Sequence, residues 1–563
     1  MRKSILSFCL FLAMFAAHTQ PEAVHYATDC NFQRHATPED RALLSETLSG
    51  LRSYSPPAPP VSAIAEFQPM GGVMVAYPLG VPVTLVRELS AVTKVKVIVS
   101  TANDSIRAKQ YFNTSQVNMG NVDFWIVPHD SYWVRDYGPW FVIDGKDSVR
   151  IIDFIYNRPS RPKDDAAMEF VAEYLNMDRY EMPMVHTGGN YMADGYGTAA
   201  STMLVMQENP YESDSSLNSM AEDFLGIDNY MFLPDPLGEY IAHIDCWGKF
   251  LSVDKVLIAK VPESDPRYDN YESVAQTFEQ SLTPWGNHYK VFRVNANPNA
   301  SSATPYTNSL IINNHVFVPV TGNSLDNDAI EVYRNAMPGY TIVPIMQSPY
   351  RPWLSTDALH CRTHELADPG MLHISHRPLL ESKTLAGDLS ITATIKPLNG
   401  SPLVQDSVLV FYRINDGEWK CGDLVQQQDN IFSFDFSSLD LGGNDEIEYY
   451  IFAKDESGRT EKHPYIGAAD PHRFVIEGAG IGSLNSFSVS VFPNPAEDII
   501  VVKAESHITQ ARIYDLQGRL VVKNDNIQGN ICKFNVGFMP SGFYLIRISD
   551  NKGRQVIRKF AKN

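Results

Sequence analysis

Short runs of apolar residues recur along residues 46–376, separated by longer amphipathic stretches. The runs show little polar alternation, which predicts strands buried on both faces. These runs are Val73–Tyr77, Lys96–Val99, Val122–Val127, Arg150–Phe154, Lys255–Lys260, Tyr289–Val294, Ser309–Ile312, His315–Val320 and Tyr340–Ile345. Helical periodicity between strands, as in Asp165–Leu175 and Tyr271–Ser281, predicts an α/β domain. Its strand order is open at this point, and a layered sheet and a radial repeat both fit the pattern.

The pattern changes in residues 377–478. Polar and apolar positions alternate in Ser407–Arg413 and Glu446–Ala453, and the turn sequence Asn415–Gly417 follows the first of these strands. This period of two predicts a β-sandwich of immunoglobulin type. A stretch rich in Gly and Ser, Gly478–Ser486, is predicted as a linker, and residues 484–563 form a further all-β domain.

The first residues carry an export signal. Arg2 and Lys3 precede the apolar run Ile5–Ala17, which is typical of a secretory signal peptide over residues 1–20. Residues 21–45 are then predicted as a pro-segment. We find no other apolar segment of transmembrane length in the sequence.

Charge and cysteine content restrict the function further. The formal net charge of −19 argues against nucleic acid as a partner, because phosphate binding needs a cationic surface. An acidic surface suits cationic ligands such as arginine-rich peptides, although it also serves solubility alone. Cysteines beyond the signal peptide are odd in number and scattered, which excludes a disulfide framework and leaves at least one thiol unpaired. They are Cys30, Cys246, Cys361, Cys421 and Cys532.

Four ordered motifs occupy the C-terminal region. They are Phe492–Ala496, Ile513–Arg519, Ser541–Leu545 and Lys559–Lys562. In order and spacing they resemble the C-terminal sorting domain of the type IX secretion system of Bacteroidetes. The resemblance implies recognition by the type IX secretion machinery and a destination outside the cell or on the outer-membrane surface of a Gram-negative bacterium.

Residue types that commonly take part in binding or catalysis occur in four clusters of the α/β region. A loop after a strand, Asp130–Trp140, holds acids, a cation and aromatic residues, as binding loops often do. In Tyr240–Trp247, His243 and Asp245 would share one face if the segment were extended. Thr304–Ser309 reads as a turn before a strand.

The fourth cluster, Trp353–Glu365, surrounds a cysteine. Cys361 lies among Arg362, His360 and His364, a cationic neighbourhood that favours the thiolate. A thiolate is the reactive form of cysteine in nucleophilic catalysis, so Cys361 is predicted as a nucleophile.

Together these segments resemble the guanidine-modifying hydrolases, most closely the bacterial peptidylarginine deiminases of the Porphyromonas type. The resembling segments are Ala65–Phe67, Val73–Pro78, Trp133–Asp136, Gly188–Asn190, Asp194–Gly195, His243–Gly248 and Leu359–Arg362. The resemblance implies a fivefold pseudo-symmetric α/β propeller of ββαβ units over residues 46–376, followed by the immunoglobulin-like and sorting domains. It also implies hydrolysis of a guanidinium group without metal or organic cofactor.

The same resemblance assigns catalytic roles. Cys361 would attack the guanidinium carbon, and His243 would act as general acid and base. Asp136 and Asp245 would clamp the guanidinium, whose planar donors suit two carboxylates. Asn308 would orient the cysteine.

Substrate residues follow from the resemblance as well. Trp133 would form an aromatic wall, and Arg158, Arg161 and Tyr240 would read the carboxylate of a C-terminal arginine. Ser160 adds one residue between the two arginines relative to the family pattern, so Arg161 carries over only if the loop relaxes. The expected partners are therefore arginine-containing peptides and proteins, with no nucleic acid.

Three alternatives are kept. Agmatine deiminases resemble the chain too, but commonly carry a glycine-rich stretch ending Asn-Ile-His-Cys, from which Ser355–Cys361 departs. A surface adhesin with an inert α/β region belongs to another class. His243 and Asp245 could also form a zinc hydrolase site, although no second histidine pair at ligand spacing lies nearby.

Overall fold

The structure is a computed structural model that describes residues 22–28, 37, 39–40, 43–44, 54–238, 241–297, 304–385, 387–477, 487–515, 518–524, 527, 529–552 and 554–563. The predicted signal peptide, most of the predicted pro-segment, Tyr240 and the linker Gly478–Ser486 lie outside the described residues. Two compact units are formed, one from most of the residues before Ile476 and one chiefly from the residues after Val475.

The α/β region contains separate small sheets built on a shared plan. In each, an antiparallel strand pair is followed by a helical connection to a parallel strand, which is the connection that parallel strands require. Sheet A contains His364–Ala367, Met70–Tyr77, Val95–Val99 and Val122–Ile126, and sheet B contains Ser62–Ala63, Trp140–Ile143, Val149–Tyr156 and Arg179–His186. Sheet C contains Met192–Ala193, Thr198–Thr202 and Asn229–Leu233; sheet D contains Gly248–Ser252, Lys255–Lys260 and Lys290–Asn295; sheet E contains Leu310–Ile312, His315–Val320 and Thr341–Met346.

Helices cover these sheets. The α-helices of this region are Val83–Val92, Ala102–Thr114, Pro162–Asp165, Ala167–Leu175, Leu204–Glu208, Asp214–Leu225, Tyr268–Gln280 and Asp326–Ala336. Their apolar faces are buried: Leu85, Val86 and Leu89 of the first helix, for example, are fully inaccessible. Burial on both faces explains why the strands read as continuous apolar runs in the sequence.

The candidate site residues lie in the loops that precede the antiparallel strand pairs of these sheets. Asp136 precedes Trp140–Ile143, Asp245 precedes Gly248–Ser252, Asn308 precedes Leu310–Ile312 and Cys361 precedes His364–Ala367. The last of these strands pairs antiparallel with Met70–Tyr77, so the end of the region completes the sheet in which it began. The same position in successive sheets therefore supplies the candidate site residues.

Two antiparallel sheets follow. One contains Leu372–His376, Ser390–Pro397, Ile431–Asp435 and Val425–Gln428; the other contains Ser382–Lys383, His472–Ile476, Glu446–Lys454, Leu409–Ile414, Lys420–Asp423 and Thr460–His463. The sequence reading assigns residues 372–376 to the α/β region, but their hydrogen bonds to Ser390–Pro397 join them to the first of these sheets. This part packs on the α/β region within one compact unit, and the Tyr196 hydroxyl lies 2.7 Å from His463 Nε2.

The second unit is all-β. Its sheets consist of Val489–Phe492, Ile499–Ala504 and Ile531–Asn535, and of Leu520–Asn524, Ile508–Tyr514, Gly542–Asp550 and Gln555–Lys562. It has its own apolar core, which includes Ile500, Ile513, Ile546 and Phe560. Within the described residues, no helix has the length and apolar character needed to cross a bilayer.

Candidate active site

Cys361 and Asn308 form the centre of the site. The Asn308 side-chain amide lies 3.1 Å from Cys361 Sγ, while its carbonyl oxygen accepts hydrogen bonds from the backbone N–H groups of Ala358 and Cys361. The peptide N–H of His360 also donates to the backbone carbonyl of Asn308. A buried asparagine thus fixes the loop that carries the thiol.

Asp245 is brought next to the thiol. Its Oδ2 lies 3.4 Å from Cys361 Sγ and accepts a hydrogen bond of 2.8 Å from His360 Nδ1. Its backbone carbonyl accepts from the Thr307 hydroxyl, which ties this loop to the one that carries Asn308. Cys246, in contrast, lies in the apolar core.

His243 and Asp136 complete the buried group. The segment Ile244–Cys246 is a turn of 3-10 helix, so the assumption of an extended His243–Asp245 strand is wrong. Both side chains nevertheless reach one cavity, because a Cβ built on Gly189 would lie 2.6 Å from His243 Nδ1, 2.9 Å from Asp136 Oδ1 and 3.2 Å from Asp245 Oδ2. The glycine leaves space between these three polar groups.

Polar atoms that face this space lack protein partners. Asp136 Oδ1 and both ring nitrogens of His243 have no hydrogen-bond partner among the described residues, and Asp136 Oδ1 lies 3.6 Å from His243 Nδ1. Buried polar atoms are nearly always hydrogen-bonded, so unpartnered ones in a cavity mark a place for a ligand. The carboxylates of Asp136 and Asp245 beside the His243 imidazole fit a ligand that is a cation and a hydrogen-bond donor.

Burial shifts the pKa values of the site in different directions. Burial and the nearby charge of Asp245 raise the pKa of Asp136 to about 7. Burial would also raise the pKa of Asp245, but the hydrogen bond and charge of His360 outweigh it and hold that pKa below its usual value. Burial lowers the pKa of His243 to about 3, so its imidazole is neutral in the ligand-free site.

The surroundings of Cys361 contain carboxylates in addition to the cations expected from the sequence. Burial and the carboxylates Asp245 and Asp357 raise the pKa of the Cys361 thiol well above its ordinary value. Arg362 is paired with Asp357 through Nε at 2.7 Å, and burial keeps the pKa of His364 well below normal. Sequence proximity suggested the reverse because Asp245 is remote in the chain and the pairing of Arg362 with Asp357 is not evident from the sequence.

The predicted substrate residues are buried as well. Trp133 Nε1 donates to Asp357 Oδ2 at 3.0 Å, and the guanidinium carbon of Arg161 lies 4.8 Å from the centre of the Trp133 ring. Arg158 and Arg161 are 2% and 1% exposed, which contradicts a solvated surface loop. Their positive charges both act to lower the pKa of Asp136. Tyr240 lies outside the described residues.

Several residues without an assigned role in the sequence reading also surround the site. They are Glu66, Arg135, Gly189, Lys249, Asp357 and Glu365. Arg135 Nη2 contacts Glu365 Oε1 at 2.6 Å, and Lys249 Nζ contacts Glu66 Oε2 at 2.5 Å. Asp357 and Glu365 could have been noticed in the sequence because they lie close to Cys361. Their partners Trp133 and Arg135, however, are remote in sequence.

One group of potential metal ligands occurs in the described part of the chain. Ligand atoms of Glu66, His360 and Glu365 lie within 4.8 Å of one another. The two glutamates, however, are already paired with Lys249 and Arg135. Two fixed cations beside the donors disfavour a further cation, so we assign no metal to this group.

Comparisons with known proteins agree with this geometry. The sequence model of the family described as Porphyromonas-type peptidyl-arginine deiminase matches residues 80–366, and that of the secretion system C-terminal sorting domain matches residues 490–563. A provisionally named agmatine deiminase of Vibrio parahaemolyticus is 28% identical over 352 residues, covering 54% of this chain and 95% of that protein. An agmatine deiminase of Stutzerimonas stutzeri is 25% identical over 280 residues, covering 43% and 75%.

A solved agmatine deiminase of Enterococcus faecalis is also similar, with 20% identity, a TM-score of 0.47 and coverage of 56% of this chain and 96% of that one. The sorting-domain match indicates secretion or the outer-membrane surface as the destination of the protein. The family match extends over half of the chain and includes the thiol, the imidazole and both carboxylates. The chain therefore belongs to the Porphyromonas-type peptidyl-arginine deiminase family, within the guanidine-modifying superfamily.

Proposed function

We propose that the protein is a secreted peptidylarginine deiminase that converts arginine, preferentially at a peptide C-terminus, to citrulline and ammonia. The observation that carries the proposal is the group of unpartnered buried atoms, Asp136 Oδ1 and both nitrogens of His243, next to Cys361 and Asp245. A guanidinium offers five donors and a permanent positive charge, which match two carboxylates in a low-dielectric cavity.

The first half of the reaction uses the thiol as nucleophile. The incoming guanidinium adds a positive charge beside Cys361 and Asp136, and this charge favours both the thiolate and the carboxylate. The thiol proton passes to the neutral imidazole of His243, and the thiolate attacks the guanidinium carbon and forms a C–S bond. His243 then donates a proton to the departing nitrogen as the C–N bond breaks, which releases ammonia and leaves a covalent thiouronium.

The second half consumes water. Neutral His243 accepts a proton from a water molecule whose oxygen attacks the thiouronium carbon. The added hydroxyl loses its proton to solvent as the C–S bond breaks, Cys361 leaves as the thiolate, and the carbonyl of citrulline forms. Asn308 orients the thiol throughout, and the electrophilic carbon already carries the cation's charge, so the proposal needs no cofactor.

Arg158 and Arg161 support the preference for a terminal arginine. Their guanidinium groups are buried close enough to Asp136 to affect its pKa, and a peptide carboxylate would find charge-assisted donors there. We assign Trp133 to the wall of the substrate channel, although one of its contacts is already the guanidinium of Arg161. By resemblance to the family, Tyr240 is the third residue that we propose to bind the substrate carboxylate.

The proposal includes the arrangement of the sheets in each domain. Five small sheets with equivalent loops at the site support a fivefold α/β propeller over residues 46–376, with the site at its centre. The two following antiparallel sheets support an immunoglobulin-like sandwich over residues 377–478.

Agmatine deiminase is the second candidate, because the curated relatives that match carry that name. Citrulline should form from peptides that end in arginine faster than from the same peptides amidated, and thiol alkylation should abolish it. Arg158→Ala should raise the KM for the free-acid peptide and leave the amidated peptide nearly unaffected. Faster turnover of agmatine than of any arginine peptide would refute the proposal in favour of the second candidate.

A further inference from the structure

His360, the residue before the nucleophile, bridges two carboxylates. Its Nδ1 lies 2.8 Å from Asp245 Oδ2, and its Nε2 lies 3.2 Å from Glu66 Oε2. Both acceptors lack protons to donate when ionised, so a ring that bonds to both must carry a proton on each nitrogen. The geometry is that of an imidazolium between two anions.

The backbone around His360 holds the ring in place. The peptide N–H of His360 donates to Asn308 at 3.1 Å, and its carbonyl accepts from Arg135 Nε at 3.2 Å. The imidazole side chain is 6% exposed. Its orientation is therefore determined by the same loops that orient the thiol.

Positively and negatively charged side chains alternate in a chain of contacts that ends at the Cys361 sulfur. Lys249 Nζ contacts Glu66 Oε2 at 2.5 Å, Glu66 contacts His360, and His360 contacts Asp245, whose Oδ2 is 3.4 Å from Cys361 Sγ. Alternating charges offset the desolvation that an isolated buried ion would suffer. Glu66 is held further by the backbone N–H of Ile311 at 2.9 Å.

The two clamping carboxylates differ in this support. Asp245 has the imidazole of His360 as a partner, whereas Asp136 Oδ1 has no hydrogen-bond partner among the described residues. Two neighbouring buried carboxylates do not both ionise readily without a compensating cation. Asp245 thus has an imidazole partner in direct contact, and Oδ1 of Asp136 faces the cavity.

We propose that His360, fixed by Glu66, is a positioning residue that holds Asp245 as an oriented carboxylate for the substrate guanidinium. The inference rests on the proposed function for the identity of the substrate. His360 acts through Asp245 and does not touch the reacting carbon. Glu66 and Lys249 act one and two steps further away, through His360.

The test measures binding apart from turnover. Calorimetry with a peptide ending in arginine is carried out on Cys361→Ala and on the same chain with His360→Ala, across the pH range in which Asp136 titrates. His360→Ala should weaken binding at least tenfold at neutral pH and move the pH at which binding is lost to a higher value. His360→Asn, whose amide can donate to Asp245, should recover part of the affinity.

Matched variants separate positioning from folding. His315→Ala removes a histidine whose ring packs on Phe317, and it should leave affinity and pH dependence unchanged. Glu66→Gln should shift the pH dependence in the same direction as His360→Ala, by a smaller amount. Unchanged affinity and pH dependence in His360→Ala would overturn the inference.

Failure of the proposed function would be visible separately. Citrulline assays use the chain with Cys361 intact, and absence of citrulline there would overturn the deiminase assignment. The binding comparison is made in the Cys361→Ala chain and does not depend on that result.

Discussion

Asp136 and Asp245 share one buried cavity, yet they differ in charge near neutral pH. The pKa of Asp136 is about 7, because burial and the Asp245 charge disfavour its ionisation. The pKa of Asp245 is below normal because His360 outweighs the effect of burial. Before substrate binds, the site therefore carries less negative charge than two ionised carboxylates would give. A bound cation favours ionisation of Asp136.

This difference predicts the acidic limb of the activity profile. Below about pH 7 a growing fraction of Asp136 is protonated and cannot clamp the guanidinium, so kcat/KM should fall as the pH is lowered through that value. Steady-state kinetics with an arginine peptide across the neutral range would measure it. A profile that stays flat down to pH 5 would contradict the role of Asp136.

The same residue should reduce the stability of the protein. Its folded pKa of about 7 exceeds the ordinary value of 3.8, so the ionised form costs folding free energy above pH 7 and nothing below about pH 4. A difference of roughly three units corresponds to about 4 kcal/mol at most. Asp136→Asn should therefore raise the free energy of unfolding at pH 8 and abolish turnover.

Urea unfolding of both chains at pH 8 and pH 4 checks this trade-off. The gain in stability should appear at pH 8 and shrink at pH 4, where Asp136 is protonated in the folded protein and already partly protonated in the unfolded chain, whose ordinary pKa is 3.8. Equal stability at pH 8 would show that the charge is already compensated in the ligand-free protein.

At the scale of the elements, one kind of loop supplies the site. Asp136, Asp245, Asn308 and Cys361 each lie in the loop before an antiparallel strand pair of a different sheet. The loop Gly188–Asn190 has the equivalent position before Met192–Ala193, and its contribution is space rather than a functional side chain. Repetition of one loop position lets small sheets place several groups around a single cavity.

A methyl group in that loop should close the cavity. A Cβ on Gly189 would lie 2.6 Å from His243 Nδ1 and 2.9 Å from Asp136 Oδ1, too close for the unaltered geometry. We expect Gly189→Ala to lower kcat/KM roughly 100-fold or more, since small displacements of reacting groups carry large kinetic costs. Peptide kinetics and a thermal melt would measure the effect.

Gly120→Ala is the matched control, because the nearest atom to its added Cβ would be 3.4 Å away at a surface turn. It should leave activity unchanged. Activity of Gly189→Ala within twofold of the parent chain would refute the spatial role of this glycine.

Much of this region could be predicted from the sequence. The predicted strands Lys255–Lys260 and His315–Val320 have the observed bounds, and Tyr271–Ser281 lies within three residues of the observed helix Tyr268–Gln280. Asn308 and Cys361 are in contact, as the resemblance implied. Continuous apolar runs were informative because both faces of these strands are buried.

The electrostatics of the site could not be predicted in the same way. His360 contacts Asp245, which is 115 residues away, and Arg135 contacts Glu365, which is 230 residues away. Local sequence suggested cations around Cys361, whereas the folded chain pairs Arg362 with Asp357 and brings Asp245 to the sulfur. Such pairings depend on the order of the sheets rather than on local periodicity.

At the scale of the whole molecule, a cluster of histidines lies between the α/β region and the sheets that follow it. His463 Nδ1 lies 2.9 Å from His472 Nε2, His376 Nε2 bonds to Tyr449, and Tyr196 bonds to His463. Burial lowers the pKa of His376 to about 4 and those of His463 and His472 well below normal. The packing of these two parts therefore depends on neutral imidazoles.

Acid should weaken this packing. The unfolded chain binds protons at these histidines below about pH 6.5, while the folded chain resists protonation, so stability is complete above that pH and declines as the pH falls. Between pH 7 and pH 5 these histidines should lower the melting temperature, so His463→Gln should raise it relative to the parent chain by more at pH 5 than at pH 7. An identical pH dependence in His463→Gln would exclude the cluster as its cause.

The most direct test of the account is product analysis by mass spectrometry on a peptide with one internal and one C-terminal arginine, using the parent chain and Cys361→Ala. The account predicts citrulline at the terminal position first with the parent chain and none with Cys361→Ala. Citrulline formation by Cys361→Ala at the parent rate would contradict it.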